Sequence, residues 1–476
     1  MREIISNRII YTLCIAFIVI NSVLIALDFY WFTLLPIVAL IVGLAFFQLD
    51  KVLLIIAFFT PLSINLGNKD FGLSLALPTE PLLAGVLFLF FLRIIFNLKY
   101  DYFIFKHPIS LAIIFSIIWN FFTTLTSELP IVSFKFIIAR LWFIVSFYFL
   151  GVLLFKNYAN IKRFLVLFLI PLCGVVLYTV IHHATYNFEH EAAHWVMDPF
   201  FNDHTSYGAV LAMMLPLLIV FFNKEYSNTA KFLIFIATLI LIIGIVLSYT
   251  RAAWLSLVVA MGVFAIYYFK INFKLLFVSG FFALMLILAF KTDILMKLEK
   301  NRQDSSNNMA EHIQSISNIN SDASNLERIN RWQSAFRMFM ERPVIGFGPG
   351  SYMFLYAPYQ HSTEKTIIST NAGTLGNAHS EYIGPLAEQG IFGSLAYVLI
   401  IICVYYRGSV LYYAIENRDK KTMVLAVLLG FTTYVVHGFI NNFLDTDKAA
   451  VPFWAFVAII TAIDIYHGKN KQTKIN

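Results

Sequence analysis

Charge is scarce in this chain. Of its 476 residues only 13% are Asp, Glu, Lys or Arg, where a soluble domain carries about 25%, and that shortage excludes a soluble globular protein. Cysteine is scarcer still. Cys14, Cys173 and Cys403 all fall inside apolar runs without partner spacing, which argues against a disulfide framework or a cysteine metal site and leaves three packing residues. A nucleotide-binding loop is also missing, because the run Gly346-x-Gly348-x-Gly350 follows a helical pattern instead of a strand and lacks the Walker lysine. The formal net charge of +7 is spread over short turns and forms no basic patch, which speaks against nucleic acid as a partner. His182, His183, His190 and His194 stand near Glu189 and Glu191, but their spacing matches no zinc signature. The first apolar run continues to Leu27 with no small-x-small cleavage site and reads as a retained span, not a signal peptide.

What is abundant is apolar sequence: 59% of the residues are hydrophobic and 17% aromatic. Many runs approach the roughly 20 apolar residues that cross a bilayer, and they do not alternate as barrel strands would. The expected fold is therefore all-α, a polytopic membrane bundle. Spans are predicted near 9–27, 32–47, 51–64, 80–97, 108–124, 133–155, 162–182, 205–222, 232–249, 252–269, 274–290, 386–406, 422–440 and 450–466. The first three are short or closely spaced, so about 12–14 transmembrane helices are expected. Basic residues fall in alternate turns (Lys156, Lys162 and Arg163; Lys224 and Lys231; Lys270 and Lys274; Arg418, Lys420 and Lys421) and in the C-terminal tail. The positive-inside rule places both termini and these turns in the cytoplasm. The chain then divides into an N-terminal transmembrane bundle (1–290), a long external loop (291–385), and C-terminal transmembrane helices with a short tail (386–476).

The loop is where chemistry is expected. Its first part, 301–323, is rich in Ser, Asn and Asp and without strong periodicity. Ser324-x-x-Glu327 then reads as a capping box, and Leu326, Ile329, Trp332, Phe336, Phe339 and Met340 recur at helical spacing up to Glu341, ahead of Pro343. Gly346, Gly348, Pro349 and Gly350 read as a sharp reversal. A second helix is expected to begin near His379.

Arg251 is a lone cation at the junction of two apolar runs, either snorkelling to the interface or functional, and an ionisable residue within a membrane is functional by default. Arg140, inside another apolar run, poses the same question. Arg328 and Arg331 lie near the start of the amphipathic helix. Their planar donor forks suit phosphate oxygens, although a solvated basic face would read the same way. His379, and less strongly His204, stand at the mouths of apolar helices, where an imidazole can accept or orient a proton.

In order along the loop stand Arg328-x-x-x-Trp332-x-x-Ala335, then Pro343-x-x-Gly346-x-Gly348-x-Gly350-Ser351, then His379-Ser380-x-Tyr382 with Glu388-x-Gly390-x-x-Gly393. That ordered set resembles the O-antigen ligase and polymerase superfamily, over about residues 200–400. The resemblance implies a GT-C-type membrane glycosyltransferase in the bacterial inner membrane, with its active site facing the periplasm. The donor would be a glycan on undecaprenyl diphosphate. The acceptor would be the lipid A core in a ligase, another lipid-linked repeat in a polymerase, or a protein hydroxyl. Cofactors, nucleotide sugars and obligate metals are not implied. On this reading Arg251 and Arg328 neutralise the diphosphate and His379 activates or positions the acceptor hydroxyl, while Arg140, Arg331, His204 and Tyr382 contact diphosphate or glycan. Ser380 stands where the family more often has Asn, and its hydroxyl is expected to orient the imidazole. A transporter or flippase is the competing class. It should show repeated halves meeting at the midplane, and none are visible.

Overall fold

The computed structural model describes residues 2–36, 43, 48–68, 73–95, 101–221, 227–271, 285, 323–362, 365 and 376–468. Most of the spans expected at 32–47 and 274–290, and the polar segment 301–322, lie outside the described residues. The chain divides into two compact units, Met1–Ile55 and Ile56–Asn476. The first carries α1 (Arg2–Ala26), and α2 (Leu49–Phe59) follows.

The second unit is an all-α membrane bundle. Among the described residues eight helices are long and apolar enough to cross a bilayer. A slightly shorter apolar helix, α3 (Thr79–Ile95), precedes them. The eight include α4 (Pro108–Leu125), α5 (Pro130–Leu154), α6 (Tyr158–Ala184), α7 (His204–Phe221), α8 (Asn228–Leu247) and α9 (Arg251–Tyr268). After the loop helix α10 (Ala323–Glu341) come α11 (Gly384–Ala414), α12 (Arg418–His437) and α13 (Asp447–His467). The helix α12 matches the expected span near 422–440 but opens on Arg418, Asp419, Lys420 and Lys421, so its apolar part is short.

The helices sort by depth. Of α13, 83% is buried, and of α7, 78%, against 17% of α8 and 22% of α9. The first pair forms the centre of the bundle and the second its lipid-facing side, where Phe232, Leu233, Phe235 and Ile243 are exposed. The helix α12 packs on α7, α9, α11 and α13, and α11 packs on α4 and α10.

One expectation is corrected. The run 51–64, read as a span, is an 11-residue helix that ends at Phe59. A turn follows, with Pro61 in its first positions, and then an antiparallel hairpin of β1 (Ile64–Asn68) and β2 (Leu73–Leu77). The backbone freed by this early stop is satisfied from α13. Buried Lys448 donates to the carbonyls of Thr60 at 2.9 Å and Ser63 at 2.6 Å, and Asp447 accepts from the hydroxyls of Ser63 and Thr79 at 2.5 Å each. Buried polar groups need such partners.

The far end of α13 is tied by charge. Asp464 accepts from Arg407 Nε at 2.6 Å and meets His107 Nε2 at 2.9 Å. Because His107 Nδ1 accepts from the Ile109 amide at 3.3 Å, the proton sits on Nε2 and points at the carboxylate. Lys162 pairs with Asp419 at 3.0 Å, and Lys420 donates to the His467 carbonyl at 3.2 Å. The basic turns thus gather at one end of the bundle, and the loop helix docks at the other.

Candidate active site

The loop is fastened to the bundle through a break in α11. At Gly390 the backbone leaves helical geometry (φ 66°, ψ −166°). A break frees carbonyls and amides that need partners, and the glycine turn supplies them. The Phe347 amide donates to the Ala387 carbonyl at 3.0 Å, Gly348 to Glu388 at 2.7 Å, and Ile391 to the Pro343 carbonyl at 2.9 Å, while Trp119 Nε1 takes the Gln389 carbonyl at 2.8 Å. Contact this close leaves no room for side chains. A Cβ at Gly346 would stand 2.4 Å from the Glu388 backbone, and one at Gly348 2.0 Å from Ser127 Oγ. The glycines read as a sharp reversal also let two backbones touch. Over them Ala335, Met338, Phe347, Tyr352, Tyr356 and Ala387 form a small apolar core that carries α10.

On that platform α10 presents Arg331. The spacing of Glu327 and Arg331 places both on one helix face, and Arg331 Nε donates to Glu327 Oε1 at 2.9 Å with side-chain exposures of 8% and 4%. Glu327, read from its spacing as the capping partner of Ser324, is thus spent on the arginine. Arg331 Nη1 donates to His379 Nε2 at 2.7 Å and reaches the Asn377 carbonyl at 3.4 Å. The backbone at Gly376 lies against the guanidinium, where any Cβ would meet Cζ at 2.6 Å.

His379 is held in the left-handed region (φ 47°), with its amide on Asn377 Oδ1 at 3.1 Å. Asn377 therefore fixes the turn. Ser380 does not orient the imidazole, since its hydroxyl accepts from the amides of Tyr382 and Ile383 at 3.2 Å each. This capped turn delays the helix expected near His379 until Gly384, where Pro385 suits a first helical turn. An arginine only donates, so the lone pair of Nε2 faces Arg331 and the neutral ring carries its hydrogen on Nδ1. Burial first, then the charges of Arg331 and Arg328, push the His379 pKa down from 6.5 to about 3, with Asp203 and Glu327 opposing. The imidazole is neutral at physiological pH.

The remaining expected residues divide between this centre and other surroundings. Arg328 lies within electrostatic reach of His379, His204 and His437. His204 opens α7, whose N-cap Asp203 holds the amides of Thr205 and Ser206 at 2.8 Å, and its ring meets that of His194 with centroids 4.2 Å apart. Arg251 opens α9, and the adjoining Thr250 hydroxyl donates to the His204 carbonyl at 2.8 Å, which brings Arg251 to the same end. The Tyr382 hydroxyl is spent on the Val435 carbonyl at 2.9 Å and its ring packs between Tyr397 and Phe439. Arg140 stands elsewhere, lining a cavity with Glu381, Glu388 and Asp445. Sequence reasoning gave Glu327 only a capping role and overlooked Asp203 and Asn377. The pairing of Glu327 was visible as a carboxylate four residues before an arginine, and Asp203 as an N-cap. Among the described residues no group of three or more His, Cys, Asp or Glu could hold a metal ion.

Residues 236–398, which include Arg251, Arg328, Arg331 and His379, match the family model of the O-antigen ligases. Over that stretch the chain is similar to the O-antigen ligases. An uncharacterized protein of Haemophilus influenzae is 25% identical over 296 residues, 60% of this chain and 69% of that protein. The similarity over residues 236–398 and the apolar helices around that stretch support a multi-pass bacterial membrane protein with a function of the O-antigen ligase or polymerase type.

Proposed function

We propose that this protein transfers a glycan from undecaprenyl diphosphate to an acceptor hydroxyl, the lipid A core oligosaccharide, at the outer face of the cytoplasmic membrane. The observation that carries the reading is the clamp of Glu327, Arg331 and His379 beside Arg328, set on the loop end of an apolar bundle and inside the matched stretch. Fixed guanidiniums next to a lipid-facing helix suit a diphosphate whose charge grows as the glycosyl bond breaks. In the transfer, the acceptor oxygen bonds to the anomeric carbon, the bond to the diphosphate oxygen breaks, and its electron pair stays on the departing diphosphate. The acceptor proton leaves to that diphosphate or to water. Arg328, Arg331 and Arg251 hold the charge. His379 offers Nδ1–H to orient an oxygen, because the lone pair a base would use already faces Arg331.

Deleting the gene in its host and running the surface glycolipids on a gel tests the reaction, with complementation by wild type and by His379→Ala. Loss of long glycan from the lipid A core, restored by wild type only, is the expected result. Core capped with a single repeat would make the protein a polymerase, and an unchanged pattern would end the reading. A pH profile tests the role of the imidazole. With its pKa held at about 3, His379 stays neutral and kcat should show no acid limb from it between about pH 8 and about pH 5. An acid limb centred near the ordinary histidine pKa and absent in His379→Asn would make it a general base instead.

A further inference from the structure

The cavity that holds Arg140 adjoins the His379 turn. Asn377, Ala378 and Ser380 line it, and Ala378 and Ser380 stand one residue on either side of His379, with Cα atoms about 4 Å from its own. Its volume is about 560 Å³, inside the roughly 300–1,000 Å³ range of small-molecule sites. Phe136, Trp142 and Phe354 contribute aromatic wall. Its lining differs from the arginine centre in being rich in carboxyl groups: Glu80, Glu381, Glu388 and Asp445 stand there with Arg140 and Lys135.

The carboxylates are fixed in place. Glu381 Oε1 accepts from the Tyr434 hydroxyl at 2.8 Å and the Leu444 amide at 3.0 Å, and Glu388 Oε1 accepts from the Tyr352 amide at 3.1 Å. Burial raises the Glu381 carboxyl above its ordinary range, and burial first, then the Glu381 charge, raise Asp445 to about 7. A carboxyl that titrates there both donates and accepts, as a sugar hydroxyl does. Two further polar atoms are idle. Trp142 Nε1 and Asn442 Oδ1, on residues that line the cavity, are buried without a hydrogen-bond partner among the described residues, a destabilising condition that a ligand's polar groups would relieve.

We infer that this cavity is a subsite for an uncharged, hydroxyl-rich sugar ring of the acceptor, stacked on the aromatic wall and hydrogen-bonded to Asp445, Trp142 and Asn442. It rests on the glycan-transfer reading above and adds where the acceptor sits. Donor diphosphate and acceptor sugar then meet at the His379 turn. The division also reassigns Arg140, whose charge balances carboxylates instead of binding phosphate.

Saturation-transfer NMR on the purified full chain in nanodiscs tests binding without turnover. The probes are the methyl glycosides of glucose, galactose and N-acetylglucosamine, with free glucosamine and inorganic pyrophosphate alongside. Transfer to at least one methyl glycoside is expected, undisturbed by pyrophosphate and weakened about fivefold in both Asp445→Asn and Trp142→Phe, as for one net hydrogen bond. Absence of any glycoside signal, a signal from cationic glucosamine alone, displacement by pyrophosphate, or full signal in both variants would each overturn the subsite. A second arm separates acceptor from donor. In a transfer assay both variants should raise KM for the acceptor and leave KM for the lipid-linked donor unchanged, and the reverse split would give the cavity to the donor glycan. Sugar binding without transfer would sink the proposed reaction and leave the subsite standing, whereas transfer without sugar binding here would do the opposite.

Discussion

Arg331→Ala is expected to abolish glycan transfer and to lower the melting temperature of the purified protein, and the two effects should come apart. The guanidinium serves two partners at once, Glu327 through Nε and His379 through Nη1, in a setting where the Arg331 and Glu327 side chains are 8% and 4% exposed. Removing one member of a buried ion pair costs about 3–5 kcal/mol, mainly because the surviving charge is stranded, whereas removing both members is often near neutral. Arg331→Met combined with Glu327→Gln should therefore regain most of the melting temperature while transfer stays lost. Arg331→Lys should also fail, because one ammonium cannot reproduce the fork that spans a carboxylate and an imidazole. If the double variant melts as low as Arg331→Ala, the penalty lies elsewhere. If Arg331→Ala transfers glycan at the wild-type rate, the clamp is not part of the reaction.

Arg331 also marks where reading the sequence stops. The amphipathic helix up to Glu341 was legible, because Trp332 and its neighbours repeat at helical spacing and Pro343 follows. The structure has that helix as Ala323–Glu341. Residue type and spacing did not separate its two arginines on a water-facing helix, and the resemblance put Arg328 ahead of Arg331. They differ because the chain returns 48 residues later and lays His379 against Arg331, a contact between segments that no local pattern encodes. The eight described helices from Pro108 onward that can cross a bilayer were legible for the opposite reason, since a bilayer reads composition over about 20 residues and little else. Where an apolar run is stopped by its surroundings, as at Phe59, composition misled: the hairpin that follows depends on Lys448 and Asp447, almost 400 residues away. Arg140 shows the same limit. An arginine in an apolar run announces a function, and only the fold reveals that its neighbours are carboxylates.

The second large effect is expected from one methyl group. Gly390→Ala should detach the loop from α11 and abolish transfer although the residue touches no substrate. At φ 66° and ψ −166° the backbone lies in a region essentially reserved for glycine, where other residues pay about 1–3 kcal/mol in strain. The added Cβ would also stand 2.1 Å from the Val344 carbonyl oxygen, a backbone atom with no rotamer by which to retreat. Either Gly390 returns to helical geometry or Val344 moves. A return to helix would reclaim the carbonyls of Ala387 and Glu388, on which the Phe347 and Gly348 amides depend, and the apolar core under α10 would lose its seat. Gly384→Ala is the control, because its Cβ would sit in ordinary contact, 3.6 Å from that of Ala378. Limited trypsin digestion at the arginines of α10 reads the docking directly. Gly390→Ala should be cut faster than wild type at Arg337, and Gly384→Ala should not. Equal cutting in all three proteins, with transfer intact in Gly390→Ala, would mean that the loop holds its place without the break in α11.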